Sequence, residues 1–329
     1  MKHKNIAIFV PHAGCPHKCS FCNQNTITAQ ETLPRTADVQ RICAQAFAQI
    51  SDRRSTEVAF FGGSFTAIPR GDMLELLNAV QPFLGEDGFS GIRISTRPDC
   101  ISREVLDILK ASGVTAIELG AQSMCDHVLA ANDRGHTAQD VVNACALIRE
   151  YGFELGLQVM VGLYASTMRD ELYTLQEIRR LHPDTVRIYP TVILKNTELA
   201  RKYECGAYSP FPFPEVITLC ARMLAAFAQD GISVIKCGLH ASEFVEQDMI
   251  GGFYHPAFRE LCESVLFREQ MLAKTSSGRT DYTFAVHPSC VSKAVGQKKA
   301  NIRCFQEDGK DLKIIADEHV KPFECELRE

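Results

Sequence analysis

The stretch Cys15-Pro16-His17-Lys18-Cys19-Ser20-Phe21-Cys22 carries three cysteines at the spacing C-x3-C-x2-C, directly after an apolar run of strand length. Three thiolates on one loop can hold three irons of a [4Fe–4S] cluster, which leaves the fourth iron open. A metal with an open coordination position can bind and activate a small molecule. The stretch therefore predicts a metal-binding loop with a catalytic role, in which Cys15, Cys19 and Cys22 are the ligands.

Two other interpretations of these cysteines are weaker. Structural zinc sites usually pair two C-x2-C knuckles, and Cys19 with Cys22 is the single C-x2-C of the sequence. Disulfide frameworks are typical of secreted proteins, whereas the chain opens with MKHKN and shows no apolar signal segment. We therefore expect a cytoplasmic protein with an oxygen-sensitive iron–sulfur centre.

The composition limits the classes of function. With 46% hydrophobic residues in 329, the chain can bury one large core and carry a small appendage. The net charge of −5 means that any contact with nucleic acid needs a local basic patch. No apolar run approaches the roughly 20 residues of a membrane span, so no membrane partner is expected.

Apolar runs of strand length alternate with amphipathic runs of helix length along most of the chain. The predicted strands cover 5–11, 57–62, 91–96, 116–121, 154–162, 185–193 and 233–237. The predicted helices cover 36–51, 70–84, 102–112, 137–150, 168–181 and 214–230. This alternation predicts an α/β fold with parallel strands, in a barrel or an open sheet.

Polar residues lie at the ends of several predicted strands. They are Gly62-Gly63-Ser64 after the second strand, Ser95 in the third, Gln122-Ser123 after the fourth and Gln158 in the fifth. Each alone is typical of a structural residue with satisfied hydrogen bonds. The carboxyl ends of parallel strands meet at one edge, where barrel enzymes have their active sites. Together these residues predict a ligand site beside the cysteine loop.

The cysteine spacing, with the aromatic Phe21 before the third cysteine, resembles the radical S-adenosylmethionine (SAM) superfamily. The order GGSFTA, STRPD, ELGAQS, NDRGH, QVMVGL and RIYPT is similar, over roughly residues 5–240, to the radical domain of the elongator catalytic-subunit family. That family modifies the wobble uridine of transfer RNA. The oxygen-independent coproporphyrinogen oxidases share some of these elements. The resemblance implies a partial parallel (β/α)6-type barrel over residues 1–240.

The resemblance also implies cofactors and chemistry. A [4Fe–4S] cluster would receive an electron from a flavodoxin- or ferredoxin-like donor and cleave SAM to a 5′-deoxyadenosyl radical. Gly62, Gly63 and Ser64 would meet the amino group of SAM, and Arg134 its carboxylate, since a guanidinium binds a carboxylate in bidentate fashion. A surface ion pair is the structural alternative for Arg134. The implied cofactor-binding residues are Phe21, Gly62, Gly63, Ser64, Ser95, Gln122, Ser123, Arg134, Gln158 and Met160.

The sequence departs from these relatives in several places. Ser95 stands where they often have a glutamate. About 90 residues follow the predicted barrel, too few for the acetyltransferase domain of the elongator subunit. No second cysteine triplet exists, which argues against a methylthiotransferase. Cys237 ends the last predicted strand and is either a buried inert thiol or a residue that contacts the substrate or the radical.

The C-terminal residues predict two further pieces. Residues 241–278 read as a helical connector, and 279–329 as a small α/β unit that resembles the minimal KH RNA-binding module. KH loops clamp nucleic-acid backbone, and Gly296-Gln297-Lys298-Lys299 would be such a loop, with Lys298 and Lys299 as RNA contacts. The alternative is a structural cap with a solvated lysine turn.

These features together predict a radical SAM enzyme that modifies transfer or ribosomal RNA. Two other functions stay open from the sequence: a small-molecule radical enzyme of the coproporphyrinogen-oxidase kind, and a non-catalytic iron–sulfur protein that binds RNA.

Overall fold

The computed structural model describes residues 4–10, 19–23, 32–239 and 243–328. The strands in these ranges are β1 (Lys4–Val10), β2 (Thr56–Gly62), β3 (Gly91–Thr96), β4 (Val114–Gln122), β5 (Glu154–Val161), β6 (Thr185–Pro190), β7 (Val192–Leu194), β8 (Ser233–Cys237), β9 (Met249–Gly252), β10 (Asp281–Val286), β11 (Asp311–Ala316) and β12 (Cys325–Arg328). The helices are α1 (Thr36–Gln49), α2 (Arg70–Val80), α3 (Arg103–Ala111), α4 (Asp126–Ala131), α5 (Ala138–Glu150), α6 (Met168–Leu181), α7 (Glu198–Glu204), α8 (Phe213–Gln229), α9 (Glu243–Asp248), α10 (Phe258–Leu272), α11 (Val291–Val295) and α12 (Ala300–Glu307).

Seven parallel strands form the main sheet, in the order β1-β2-β3-β4-β5-β6-β8. The sheet curls into a half-barrel, and β1 and β8 are its two edges, so the barrel stays open between them. The predicted α/β class and the partial parallel barrel are confirmed. The order in space follows the order in sequence, as expected when each crossover helix returns the chain to the neighbouring position.

The helices form where the sequence supplies start signals and an apolar stripe. Thr137 and Asp140 form a reciprocal capping box at the start of α5, and Thr167 with Asp170 does the same for α6. These bonds satisfy amide groups that the first helical turn leaves without partners. The helices cover the outer face of the sheet, where apolar side chains of every strand are buried in one continuous core.

The inner face of the sheet is polar at its base. Arg93 on β3 is fully buried, and its Nε lies 2.7 Å from Glu57 Oε2 while its Nη2 lies 2.8 Å from Glu154 Oε1. Its Nη1 is 3.5 Å from Glu118 Oε1. A buried cation is tolerated only when it is paired in this way. The cluster closes the barrel at the level of Arg93. In the sequence its members are visible only as charged residues within the predicted apolar strands, and nothing there indicates that they pair.

Helix α10 joins the half-barrel to the C-terminal residues. Its first half packs into the main core through Phe258 and Cys262, and its second half packs against the small sheet through Phe267 and Met271. That sheet has the order β11-β10-β12, with β10 and β11 parallel and β12 antiparallel. β7 and β9 form a separate antiparallel pair. Among the described residues, no helix is long and apolar enough to cross a membrane.

Candidate functional site

Cys19 and Cys22 lie on one turn beyond the carboxyl end of β1, whereas Cys15 lies outside the described residues. The amide of Cys22 donates to the carbonyl of Cys19 at 3.1 Å. Phe21, between them, packs into two apolar clusters, one of which includes Leu163 and Met160. The aromatic residue before the third cysteine therefore fixes the turn to the barrel, and the half-exposed Met160 shares that contact.

Ser20 holds the same turn through three hydrogen bonds. Its hydroxyl donates to Asn132 Oδ1 at 2.8 Å and its amide donates to the Asn132 carbonyl at 3.1 Å. Its carbonyl accepts from the amide of Leu199 at 2.8 Å. Asn132 is fully buried, and its Nδ2 donates to the carbonyls of Val128 and Tyr164. The sequence contained Asn132 in a motif but gave no sign that it positions the cysteine turn.

Arg134 lies beside Cys19. Its Nη1 is 3.2 Å from Cys19 Sγ, and its Nη2 donates to the carbonyl of Gly120 at 2.7 Å. Arg134 is 6% exposed, so its guanidinium is buried beside Cys19 and is not part of a surface ion pair. A guanidinium can only donate, and it binds a negatively charged sulfur best. The contact fits a Cys19 thiolate that is a metal ligand.

Arg97 supports Arg134 from behind. Its Nη2 donates to the main-chain carbonyl of Arg134, and its Nε and Nη2 bind the Asp99 carboxylate at 2.9 Å each. Arg97 is 3% exposed. Asp99 and Arg97 thus fix the backbone that carries Arg134. Sequence reasoning assigned neither residue to the site, although Arg97 directly follows the third strand and Asp99 lies three residues beyond its end.

Several buried polar atoms around Arg134 lack a hydrogen-bond partner among the described residues. They are Gln122 Oε1, Arg134 Nε, Arg97 Nη1 and His136 Nδ1. Buried polar atoms in native proteins are nearly always paired, with protein, water or ligand. A group of them at the ends of β3 and β4, next to Cys19, fits a site that receives a polar ligand such as the amino-acid part of SAM.

The end of β4 is shaped to place Gln122. The strand is irregular between Gly120 and Gln122, and Gln122 has a positive φ of 64°. A Cβ on Gly120 would lie 2.9 Å from Gln122 Nε2 and 3.2 Å from Arg134 Nη2. Glycine therefore lets the ends of both side chains come close to the strand here, and a larger residue would displace them. Ser123, the next residue, turns away, since its hydroxyl bonds Thr174 and the amide of Cys125.

The glycines after β2 pack closely against β1. Gly62 has a φ of +112°, and a Cβ there would lie 2.8 Å from the Val10 carbonyl oxygen. The amide of Gly63 donates to the same oxygen at 2.6 Å. Ser64 is 2% exposed and precedes a short 3-10 turn. The structure thus gives these residues a packing role at the base of the cysteine loop, and their contact with the SAM amino group stays a prediction.

Ser95 and Gln158 meet inside the barrel. Gln158 Nε2 donates to Ser95 Oγ at 3.2 Å and to Glu118 Oε2 at 2.9 Å. Glu118 also binds Arg187, through Nε at 2.6 Å and Nη2 at 2.9 Å. Both predicted residues therefore belong to one network, whose centre is the buried carboxylate of Glu118. Sequence reasoning did not assign Glu118 and Arg187 to the site. The available signal was that each is a charged residue within a predicted apolar strand.

Two buried titratable groups border the site. Burial, followed by the neighbouring Arg134, lowers the pKa of His136 to about 4, so the imidazole is neutral at pH 7. Burial raises the pKa of Glu171 to about 7. Glu171 Oε1 accepts from the amide of Gly162 at 2.8 Å and from Ser166 Oγ at 2.7 Å. Glu171 thereby holds the loop that follows β5.

The remaining predicted residues lie elsewhere. Lys298 and Lys299 are on the C-terminal unit, between α11 and α12, both with positive φ. Cys237 is 5% exposed and packs into the outer core with Cys220 and Cys262.

A cavity of about 620 Å³ reaches Cys19 from the side of α7.

Known protein families and proteins are similar to much of this chain. The model of the Radical SAM superfamily matches residues 9–178, and that of the Radical_SAM C-terminal domain matches 183–268. The tRNA uridine(34) acetyltransferase of Dehalococcoides mccartyi is 27% identical over 254 residues, which cover 67% of this chain and 55% of that protein. Elongator complex protein 3 of Saccharomyces cerevisiae is 29% identical over 189 residues, 51% of this chain and 34% of that protein. The chain thus spans about half the length of these relatives or less.

Solved structures share the fold. Elp3 of the archaeon Methanocaldococcus infernus superposes with a TM-score of 0.63 at 18% identity, over 81% of this chain and 63% of that one. The predicted resemblance to the elongator radical domain is confirmed. The superfamily match covers more than half of the 329 residues. The chain belongs to the radical SAM superfamily of enzymes, whose cofactors are a [4Fe–4S] cluster and S-adenosylmethionine and whose chemistry needs an electron donor.

Proposed function

We propose that this chain is a radical SAM enzyme that modifies RNA. Cys15, Cys19 and Cys22 hold the cluster, which, when bound, supplies the electron that cleaves SAM to a 5′-deoxyadenosyl radical. The observation that carries the assignment is the 3.2 Å contact between Arg134 Nη1 and Cys19 Sγ, within a group of buried polar atoms that lack partners among the described residues.

The chain's own residues bind and orient SAM, and they exclude water from the site. Asn132 and Phe21 fix the cysteine turn, and Asp99 with Arg97 fixes Arg134. Arg134 Nε and Gln122 Oε1 offer a donor and an acceptor to the carboxylate and amino group of SAM. The apolar surroundings of Phe21 and Met160 keep water from the reactive centre, as radical chemistry requires.

RNA as substrate is supported by the relatives and by the C-terminal unit. The Dehalococcoides relative is named as a tRNA uridine(34) acetyltransferase. The order β10-α11-loop-α12-β11 has the arrangement of a minimal KH module, and its loop carries Lys298 and Lys299. Asn301, just after this loop, ties its helix to the neighbouring helices, since its Nδ2 donates at 2.9 Å to the carbonyls of Ser264 and Ala294. A loop with two lysines between helices held in this way suits an RNA backbone. The electron donor of flavodoxin or ferredoxin type and the cytoplasmic location belong to this proposal.

The test is an anaerobic assay. The protein is reconstituted with iron and sulfide, and 5′-deoxyadenosine is measured after addition of SAM and dithionite, with and without total transfer RNA. We expect formation that rises with RNA in wild type and is lost in Cys19→Ala. Cys205→Ala, which removes an exposed thiol, is the matched control and should behave as wild type.

The other outcomes separate the competing functions. Cleavage that is indifferent to RNA would keep the radical enzyme and direct the search to small molecules such as porphyrins. A fully loaded cluster that does not cleave SAM would overturn the proposal. Unchanged RNA affinity in a Lys298→Ala, Lys299→Ala double variant would remove the KH-like loop from it.

A further inference from the structure

The space inside the half-barrel, above the Arg93 cluster, is lined by inward-facing side chains of the strands. Along the strands, side chains that point outward are buried beneath the helices, while these inward ones are half-buried. The half-buried inward residues that matter here are Phe61, Met160, Arg187, Tyr189 and Lys236. Below them, Arg93 and Glu118 are 0% and 1% exposed, so the space has a closed floor.

Lys236 faces this space from the edge strand β8. Its neighbour Cys237 is paired with Ile188 and is buried on the outer side. The register shifts between Val186 and Arg187, which brings Lys236 directly beside Arg187. Because adjacent residues of parallel strands in register share a face, Lys236 and Arg187 point into the barrel together.

The charges of these two residues are not balanced. Arg187 is matched by the bidentate contact with Glu118. No carboxylate among the described residues forms an ion pair with Lys236, and burial, followed by the nearby Arg187, lowers the pKa of its ammonium group. A half-buried cation next to another cation is unfavourable unless an anion joins them. The arrangement therefore fits a ligand that brings a negative charge to Lys236.

Aromatic rings lie beside the two cations. The ring centroid of Phe61 is 4.8 Å from Arg187 Cζ, and Tyr189 follows on the same face of β6. Aromatic faces next to cationic side chains are the arrangement by which proteins hold single nucleotides, since the base stacks and the phosphate is paired. An enzyme that acts on a base inside a barrel must also take that nucleotide out of its stack.

We propose that Lys236 binds the phosphate of an extruded nucleotide whose base lies against Phe61 and Tyr189. This inference rests on the proposed RNA substrate and adds the residue that recognises it inside the barrel. Lys236 is a binding residue here, and it takes no part in the cleavage of SAM.

The test measures competition against a fluorescein-labelled single-stranded RNA, with the reconstituted, SAM-bound enzyme under anaerobic conditions. Uridine 5′-monophosphate and uridine are the competitors. We expect Lys236→Gln to lower the affinity for uridine 5′-monophosphate about tenfold, because one charged contact to phosphate is lost. The affinity for uridine should stay unchanged. Lys236→Arg should restore most of the affinity for uridine 5′-monophosphate. The slope of the logarithm of the RNA-binding constant against the logarithm of salt concentration should become less steep by about one in Lys236→Gln.

Lys110→Gln is the matched control. Lys110 lies at the C-terminal end of α3, just before β4 begins, and therefore at the opposite end of the barrel. The inference would be overturned if Lys236→Gln lost affinity equally for both competitors, or lost affinity for neither. Binding of coproporphyrin III in place of the nucleotide would also overturn it. RNA-stimulated 5′-deoxyadenosine formation by wild type tests the proposed function separately, so failure of Lys236 alone leaves that function in place.

Discussion

Arg134 Nη1 lies 3.2 Å from Cys19 Sγ, so a buried cation donates a hydrogen bond to the sulfur of a predicted cluster ligand. Reduction of a cluster adds negative charge to its sulfurs, and a donor on one sulfur stabilises the reduced state more than the oxidised state. The same guanidinium is held by Gly120 and, through the backbone, by Arg97. The contact is therefore built into the fold.

Replacement of Arg134 by Met should make the reduction potential of the cluster more negative. If the bond favours the reduced state by about 1.4 kcal/mol, the shift is roughly 60 mV for one electron. Potentiometric titration followed by electron paramagnetic resonance measures it without SAM turnover. Arg103→Met, which removes an exposed pair with Glu150, is the control. An unchanged potential in Arg134→Met would show that the contact does not persist on the cluster.

Replacement of Asn132 by Ala should lower the iron content of the reconstituted protein. Asn132 holds Ser20 from both its side chain and its carbonyl, and the side chain also bonds Val128 and Tyr164. Loss of these bonds leaves buried partners unsatisfied, at a cost of about 1–3 kcal/mol.

Iron and sulfide per chain after reconstitution check this prediction. Ser20→Ala removes one of the bonds and should show a smaller loss. Full iron loading of Asn132→Ala would mean that the cysteine turn holds its geometry without this anchor.

The sequence predicted the elements of the barrel far better than the hydrogen bonds and ion pairs of its site. The predicted helices and strands between residues 36 and 237 begin and end within a few residues of the observed limits, because apolar periodicity and caps such as Thr137 determine them locally. The short helices α4 and α7 were not predicted. β7, β9 and β12 were not predicted, since each is short and depends on a distant partner. The roles of Asn132 and Arg97 were missed for the same reason: the residues that they hold, Ser20 and Arg134, lie far away in sequence, and no local pattern encodes these contacts.

Replacement of Glu171 by Gln should stabilise the protein above pH 7. The pKa of Glu171 is raised from 4.5 to about 7 in the fold, so the folded state binds more protons than the unfolded state between these values. Stability contributed by this group therefore falls as pH rises from about 4.5 to 7, by up to about 3 kcal/mol. Glutamine can still accept from Gly162 and Ser166 and carries no charge.

Chemical denaturation at pH 5 and pH 8 checks this prediction. The difference in free energy of unfolding between the two pH values should change in Glu171→Gln in favour of pH 8. Glu177→Gln on the same helix is the control, since Glu177 forms an exposed pair with Arg180. Parallel pH profiles of wild type and Glu171→Gln would contradict the expected titration.

The titration of His136 should lower the stability of the folded protein as pH falls, whereas that of Glu171 lowers it as pH rises. The pKa of His136 is lowered from 6.5 to about 4 by burial and then by Arg134, so the unfolded state binds the extra proton first as pH falls. Stability from this group is fully present above about pH 6.5 and is lost as pH falls towards 4, by up to about 3 kcal/mol. His136→Gln removes the titration and should flatten this part of the profile, whatever its effect at pH 7. His127→Gln, a largely exposed histidine, is the control. If His136→Gln lost stability between pH 6.5 and 5 as steeply as wild type, the neutral imidazole beside Arg134 would not be a feature of the folded protein.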